Sequence, residues 1–300
     1  MQSEPPPQSR PETAGAARRT KLASGLYFVA TPIGAARDIT LRALDILLSV
    51  DAIAAEDTRT ARRLMDLHGI PLSDRPLIAY HDHNGPRARP AVLARLAAGE
   101  SVAYLSEAGT PLVADPGFQL AREAVDAGHL VTSAPGASAA IMALTVAGLP
   151  SDRFLFAGFP PPKAGDRKAW LAELAPVRAT MILYESPKRI HRLLGELCEV
   201  WGAERPVALC RELTKRFEEV RRGTLQDVLA DLDGVSLKGE IVLVVGRGDP
   251  KQASDEDLDT ALRAALRRSR VKEASAEVAE ALGLPRRDVY QRALNLKGSE

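Results

Sequence analysis

The twelve residues SEAGTPLVADPG, Ser106–Gly117, follow the apolar run SVAYL and include two glycines and two prolines. A buried-type strand that runs directly into such a loop is typical of α/β proteins, where a backbone with small side chains can lie close to a ligand. The alternative is a tight turn that uses glycine and proline only for their backbone angles. Other loops of the chain help to decide between these interpretations.

Three more loops of small or turn-forming residues follow apolar runs: TPIG at 31–34, APGAS at 134–138 and ESP at 185–187. Ligands of open α/β sheets bind at the carboxyl ends of the strands, where loops converge, so four such loops favour one shared pocket. The sequence has no P-loop and no GxGxxG after the first strand, and the glycine-rich loops contain no lysine or arginine. A polyphosphate ligand is therefore not expected, whereas Glu107 and Asp115 suit a positively charged ligand.

Apolar runs alternate with helical patterns along most of the chain, which predicts the α/β class with a mostly parallel sheet. Two alternating sets occur, and from Asp255 onward the pattern is wholly helical. We therefore predict two α/β domains, over residues 23–149 and 150–250, and a small basic helical module over residues 251–300. Residues 1–22, rich in proline, alanine and charge, are predicted to form a disordered tail.

The charge balance limits the classes of partner. Lys plus Arg total 40 and Asp plus Glu total 39, so the net charge of +1 predicts no general affinity for nucleic acid or membrane. Nucleic-acid binding would need a local basic patch. The sequence has no apolar run near the ~20 residues that span a bilayer and no hydrophobic signal core, so we expect a cytoplasmic protein. Cys198 and Cys210 are expected to be reduced thiols.

The helical module is the most basic part of the chain. Between Ala261 and Lys297 there are nine basic and four acidic residues. The segment KEASAEVAEALGLPRRDVYQRALN predicts a helix, a glycine-containing turn and a second helix that Pro285 opens. Such a module suits contact with a phosphate backbone through Arg286 and Arg287, and the alternative is a packing or dimer appendage.

Polar side chains also follow the strand AIAA. In EDTR, Asp57 is either the N-cap of the next helix, with Arg59 solvated or ion-paired, or a base or orienting group, with Arg59 clamping a phosphate. In HDHN, His81 and His83 alternate onto one face, but no nearby Cys or further His completes a metal site, so we predict no metal. His81 is therefore a substrate contact or an ordinary loop residue.

Two further clusters carry charge. In ESPKR, Glu185 ends a strand, and Lys188 and Arg189 at the following helix start either face an anionic partner or form a solvated helix start. In RELTKRFEEVRRGTL, five basic residues alternate with glutamates, and a salt-bridged surface is the favoured interpretation.

Seven motifs in order, VATPIG, AEDTR, HDHN, SEAGTPLVADPG, PGAS, AGFPP and ILYESP, resemble the tetrapyrrole-methylase superfamily. Within it, the chain is similar to the bacterial small-subunit (16S) rRNA cytidine 2′-O-methyltransferases. The resemblance runs from about Leu26 to Val245, and a helical tail of the same family type follows. It implies two α/β domains of the tetrapyrrole-methylase type, with S-adenosylmethionine bound in the cleft between them.

The resemblance also implies a homodimer that methylates the ribose of a cytidine in the decoding region of 16S rRNA on the small ribosomal subunit. The alternative on the same fold is a precorrin-type tetrapyrrole or a diphthine-type methyltransferase. A third possibility, a non-enzymatic RNA-binding factor, would not need four converging loops around a small-ligand pocket.

Residues in the matching motifs are predicted to form the site. The predicted catalytic residues are Asp57, His81 and Glu185. The predicted donor-binding residues are Pro32, Gly34, Ser106, Glu107, Ala108, Gly109, Thr110, Ala137, Ser138, Leu183, Tyr184, Leu213 and Gly239. The predicted RNA-binding residues are Arg59, Lys188, Arg189, Arg286 and Arg287.

Overall fold

The computed structural model describes residues 17–81, 83–248, 255–282 and 284–298. Within those ranges no helix combines the length and the apolar character that crossing a membrane requires. The predicted disordered tail falls largely on residues 1–16, outside the described residues. Its described end, residues 17–22, lies against the helix Leu41–Ser49, where the backbone amides of Arg18 and Thr20 donate to the side chains of Asp45 and Ser49.

The first half of the chain forms a five-stranded parallel sheet with helices on both faces. Its strands lie in the order β3-β2-β4-β1-β5. They are β1 (Gly25–Val29), β2 (Ala52–Ala55), β3 (Leu77–Ala79), β4 (Ser101–Leu105) and β5 (Val131–Ala134). The helices are α1 (Leu41–Ser49), α2 (Thr58–Leu67), α3 (Gly85–Ala97), α4 (Phe118–Asp126) and α5 (Ala139–Ala147).

The central strands of this sheet are buried at every position, and apolar except at Gly25 and Ser101, because helices cover both of its faces. All residues of β1, β2 and β4 are buried. One face packs on α1 and α2 through Leu47 and Met65, and the other on α3 and α4 through Leu96 and Leu120. Continuous rather than alternating apolar runs are typical of parallel strands, so the predicted α/β class is confirmed.

The second half forms a mixed sheet in the order β6-β7-β10-β8-β9. Its strands are β6 (Phe154–Gly158), β7 (Thr180–Glu185), β8 (Pro206–Arg211), β9 (Glu219–Thr224) and β10 (Ile241–Val245), and its helices are α6 (Ala164–Leu174), α7 (Ile190–Trp201) and α8 (Leu225–Asp231). Only β6 and β7 pair in parallel, whereas β10 is antiparallel to both of its neighbours. The last strand in sequence is therefore the central strand of the sheet.

Helix α5 joins the two halves. Its small residues Ala140, Ala143 and Ala147 pack on the second sheet, in one cluster with Ile182 and Val244. The predicted boundary between residues 149 and 150 separates the two sheets in sequence, yet α5 precedes that boundary and covers one face of the second sheet. The opposite face packs on α6, α7 and α8.

The C-terminal helices α9 (Asp255–Leu266), α10 (Val271–Leu282) and α11 (Arg286–Gly298) form a module with its own small core. Leu262, Val278 and Val289 are buried in it. Arg292 of α11 donates two hydrogen bonds to Asp259 of α9, at 2.7 and 2.9 Å. The predicted module start at residue 251 lies outside the described residues.

Candidate functional site

A cavity of about 450 Å³ lies between the carboxyl ends of the first sheet and the second sheet. The first half contributes residues 107–110 and 113–115, together with Ile33, Glu56, Ser138 and Ala139. The second half contributes Phe159, residues 184–187 and residues 239–242. Loops at strand ends from both halves thus converge on one pocket, as the parallel topology of the first sheet requires.

The loop after β4 owes its shape to a backbone bridge at Gly109. The Thr31 amide donates to the Gly109 carbonyl at 2.9 Å, and the Gly109 amide donates to the Thr31 carbonyl at 3.0 Å. The buried Ser106 hydroxyl donates to the same Gly109 carbonyl at 2.6 Å. Gly109 has φ +87, a conformation in which an L side chain is strained. The backbone of Ala108 and Gly109, which these hydrogen bonds hold in place, therefore forms this wall of the cavity, and we call it the Gly109 strip.

The two neighbouring loops are tied to this strip. The Thr110 hydroxyl donates to the Ala137 carbonyl at 2.9 Å, which joins it to the loop after β5. Ser138 and Ala139, at the beginning of α5, line the cavity, and the Ser138 side chain does not cap that helix. The Ala140 amide donates to the Tyr184 hydroxyl, which leaves the Ser138 and Ala139 amides for an anionic part of a ligand.

Gly34 lies where a loop of the first half of the chain contacts a loop of the second half. The Ala35 amide donates to the Thr214 hydroxyl at 3.0 Å. A Cβ on Gly34 would lie 2.5 Å from the Thr214 Oγ1 and 2.6 Å from the Lys215 Cγ, so only glycine fits. Neither Gly34 nor Pro32 is in the cavity lining. Small residues at TPIG permit a close approach of another loop of the protein.

On the opposite wall, the predicted residues Leu183 and Tyr184 are neighbours on β7, so their side chains point to opposite faces of the strand. Tyr184 lines the cavity, and its hydroxyl accepts a hydrogen bond from the Ala140 amide at 3.1 Å. Burial raises the pKa of Tyr184. Leu183 points the other way and is fully buried in the core of the second half. Leu213 is also buried, in the cluster around α5.

The cavity lining is strongly acidic. Its carboxylates are Glu56, Glu107, Asp115, Glu185 and Glu240. None of the described residues in the lining is Lys, Arg or His. Glu185 is only 3% exposed and accepts from the Ser186 amide at 2.6 Å and the Arg189 Nε at 2.7 Å. Arg189 and Lys215 pair with Glu185 and Glu240 from outside the lining, at 2.7 and 2.9 Å. Five carboxylates on the lining still favour a ligand with positive charge in this partly enclosed space.

Asp57 lies next to the cavity and caps α2. Its carboxylate accepts from the amides of Arg59 and Thr60, at 2.7 and 3.4 Å. The Arg59 guanidinium donates to it at 2.8 Å. These hydrogen bonds, the Arg59 side chain first, lower the pKa of Asp57 to about 2. A carboxylate so far below its ordinary pKa is a weak proton acceptor at neutral pH.

His81 lies at the carboxyl end of β3, outside the cavity lining. Its amide donates to the Asn84 Oδ1 at 2.8 Å, which closes the turn before α3. The His81 and His83 rings lie 6.1 Å apart, and the described part of the chain, which omits residue 82, has no group of three side chains suited to a metal.

The predicted RNA-binding residues are dispersed. Arg189 is paired with Glu185, and the adjacent Lys188 is exposed. Arg286 and Arg287 are exposed at the first turn of α11. The salt-bridged interpretation of the segment around β9 is confirmed, because Arg211 and Arg221 both pair with Glu219, at 2.9 and 2.7 Å.

The sequence matches two family models in succession. The model of the Tetrapyrrole (Corrin/Porphyrin) Methylases matches residues 25–229. The chain belongs to the tetrapyrrole methylase family. Residues 252–297 match the RsmI C-terminal HTH domain, which agrees with the helical module.

Several curated relatives of this methylase carry the name ribosomal RNA small subunit methyltransferase I. The relative from Mesorhizobium japonicum is 48% identical over 278 residues, which cover 92% of this chain and 93% of the relative. The relative from Haemophilus influenzae is 41% identical over 278 residues, covering 91% of this chain and 97% of the relative. The predicted family membership is confirmed.

Solved structures agree with the fold of this methylase. The methyltransferase CobJ superposes with a TM-score of 0.57 at 19% identity, over 75% of this chain and 94% of CobJ. A uroporphyrin-III C-methyl transferase from Thermus thermophilus, complexed with S-adenyl homocysteine, gives a TM-score of 0.51 at 19% identity, over 74% of this chain and 97% of that one.

Phe159 is a prominent residue of the methylase cavity that is not among the predicted site residues. Phe159 lines the cavity with 56% of its surface exposed, and its ring centroid lies 5.4 Å from that of Tyr184. It precedes three consecutive prolines in GFPPP. An aromatic residue at the end of a strand, next to a stiff proline segment, was the available signal.

Proposed function

We propose that this methylase is an S-adenosylmethionine-dependent methyltransferase that modifies the ribose 2′-hydroxyl of a cytidine in the decoding region of 16S rRNA. The observation that carries the proposal is the acidic, two-walled cavity at the strand ends of a chain that belongs to this family. The names of the relatives support ribosomal RNA of the small subunit as the substrate class.

The residues present fit such a donor. A volume of about 450 Å³ lies within the range of ~300–1,000 Å³ that is typical of small-molecule sites. The lining carboxylates, Glu107 among them, would favour the sulfonium and the ammonium group. Ser138 and Ala139, at the beginning of α5, would bind the donor carboxylate. Phe159 and Tyr184 offer apolar aromatic surface to the adenine ring.

When bound, the donor supplies an electrophilic methyl group on a positively charged sulfur. That methyl group would be displaced from sulfur by the ribose 2′-oxygen, with S-adenosylhomocysteine as the leaving group and the hydroxyl proton going to a base or to water. The protein accelerates this displacement by holding the reactants in line. Among the three predicted catalytic residues, Glu185 is the one in the cavity lining, and Asp57 and His81 stand outside it.

The role of Asp57 is tested by comparing two substitutions. We expect Asp57→Asn to keep methyltransferase activity within about threefold, because an amide oxygen still caps the helix. Asp57→Ala removes the cap and is expected to lower the unfolding temperature. Activity assays and thermal unfolding measure both. A loss of ~10²-fold or more in Asp57→Asn would instead identify Asp57 as a general base.

The proposed reaction is tested with small ribosomal subunits from cells that lack this activity. The protein and radiolabelled S-adenosylmethionine are incubated with them, and nucleosides are analysed by mass spectrometry after nuclease digestion. We expect 2′-O-methylcytidine. Unlabelled RNA together with tight donor binding would contradict the proposal and favour the tetrapyrrole or diphthine alternative, whose acceptors are assayed in the same way.

We further propose that the methylase works in the cytoplasm, where its proposed substrate is made, and that it does so as a homodimer. The homodimer rests on the resemblance to the family. Sedimentation equilibrium across a concentration series measures the mass, for which we expect twice that of the 32.2 kDa chain. A mass of one chain at all concentrations would contradict it.

A further inference from the structure

A second groove lies on the outer side of α2, next to the edge strand β3. It encloses about 480 Å³. We call it the α2 groove, and its lining residues are Thr58, Arg59, Arg62, Arg63, Asp66 and Leu77. The spacing of the arginines, three and four residues apart, places them on one face of α2.

The arginines of the α2 groove differ in their partners. Arg59 is ion-paired with Asp57 at 2.8 Å. Arg62 and Arg63 are exposed, and within the described residues neither side chain takes part in a hydrogen bond or an ion pair. Asp66 is the only carboxylate among the groove residues that the structure describes. Asp57 neutralises Arg59, and Arg62 and Arg63 outnumber Asp66, so the face retains positive charge for an external partner.

The α2 groove begins at the mouth of the cavity. Helix α2 follows Glu56, which lines the cavity and accepts a hydrogen bond from the Glu107 amide at 3.3 Å. Arg59 is close enough to Glu107 for that carboxylate to help raise the pKa of Arg59, after the larger effect of Asp57. The basic surface and the acidic cavity therefore adjoin at Arg59.

The basic α2 groove offsets the repulsion between the acidic cavity and the phosphates of a nucleic-acid substrate. The carboxylates around the cavity repel phosphate groups, and the net charge of +1 gives no general attraction. An RNA strand that brings its ribose to the cavity needs a local cationic surface for the neighbouring phosphates. Guanidinium groups match that need, because they bind phosphate oxygens in a bidentate manner.

We propose that the α2 groove binds the sugar–phosphate backbone of the RNA next to the nucleotide that enters the cavity, with Arg62 and Arg63 as its phosphate contacts. This inference rests on the proposed RNA substrate and extends it to a surface. It assigns a positioning role, since phosphate contacts fix the register of a strand without reading its sequence.

The test compares two double variants of the full-length chain in binding to small-subunit rRNA. One is Arg62→Ala with Arg63→Ala. The matched control is Arg153→Ala with Arg178→Ala, exposed arginines just before β6 and β7, at the edge of the second sheet opposite to the cavity. Donor affinity, by calorimetry, and thermal unfolding are measured for both, and we expect both to equal those of the unmodified protein.

Loss of two phosphate contacts is expected to weaken RNA binding about 20- to 60-fold at ~0.1 M salt. The slope of log K against log salt is expected to become less steep by about 1.4–1.8. The control variant is expected to leave the affinity and the slope unchanged. Arg62→Lys with Arg63→Lys is expected to retain most of the salt slope, because it keeps both charges.

Two results would overturn the inference. One is equal RNA affinity of the groove variant and the control variant. The other is weaker binding of the groove variant to ribosomal subunits with an unchanged salt slope on free RNA, which would assign the surface to a ribosomal protein. Failure of the proposed function differs from failure of this inference. In the former case the unmodified protein itself does not methylate the RNA, whatever the groove variants bind.

Discussion

Replacing Gly109 with alanine is expected to lower the rate of methyl transfer by about 10²-fold. Gly109 has φ +87, and its amide and carbonyl both pair with Thr31. A Cβ there would also lie 3.2 Å from Ile33 Cγ2. Alanine would relieve this strain by moving the loop that forms one cavity wall, and a displacement of ~1 Å is enough for such a loss.

Gly128→Ala is the matched control for this substitution. Gly128 has φ +77, so alanine suffers a similar backbone strain, but nothing lies within 4 Å of its Cβ position. It follows α4, at the opposite end of the first sheet from the cavity. We expect Gly128→Ala to lower stability by ~1–2 kcal/mol and to leave the rate unchanged. Equal rates of the two variants, measured with saturating RNA, would show that the Gly109 strip does not shape the donor site.

Arg167→Ala is expected to lower the free energy of unfolding by about 3–5 kcal/mol. Arg167 is 2% exposed and donates to both Glu196 oxygens, Nε at 2.5 Å and Nη2 at 2.6 Å. Its removal leaves the Glu196 carboxylate without its charged partner. Lys168→Ala, one residue on, removes a pair in which both side chains are 67% exposed, and we expect a change within ~0.5 kcal/mol. Denaturant unfolding measures both.

Arg167 also holds the segment that follows Phe159. Its Nη1 donates to the carbonyls of Pro161 and Pro162 at 3.0 and 2.9 Å. We therefore expect Arg167→Ala to weaken donor binding as well, because Phe159 loses its support at the cavity. Unchanged stability and unchanged donor affinity together would contradict this role of the pair.

The same pair makes stability depend on pH. The hydrogen bond from Arg167 lowers the pKa of Glu196 below its ordinary value. The folded state therefore binds this proton less readily than the unfolded state does, and the contribution is complete above the unfolded pKa of ~4.3. It is lost as the pH falls below that value. In Arg167→Ala this part of the acid dependence should disappear.

The strands of the first sheet could be predicted because burial on both faces demands apolar runs, which SVAYL and AIAA display. The segment EVRRGT, which forms β9, gave no such signal. Strand β9 lies at the edge of the second sheet, where charged side chains are common because they discourage pairing with other chains. Its arginines were recognised as a salt-bridged surface, but the strand beneath them was missed. Sequence patterns also do not reveal that β10 runs antiparallel to β7 and β8.

The site was predictable to the extent that loop composition reveals it. The loops around Gly109 and Ser138 do line one cavity. The sequence does not indicate which of the neighbouring residues Leu183 and Tyr184 faces the cavity, because this depends on how β7 is placed against β10 in the sheet. Gly34 carried the same small-residue signal as Gly109, although it accommodates Thr214 from the other half of the chain.

The position of β10 in the centre of the second sheet has a consequence for synthesis on the ribosome. Strands β6 to β9 are made first, as two separate pairs, and β10 must insert between β7 and β8. At ~5–20 residues per second, translation of residues 225–245 takes roughly 1–4 s. During that interval the growing chain exposes two unpaired apolar edges. A pause in translation there would prolong this exposure and favour aggregation, so this stretch is where we expect a chaperone to be needed most.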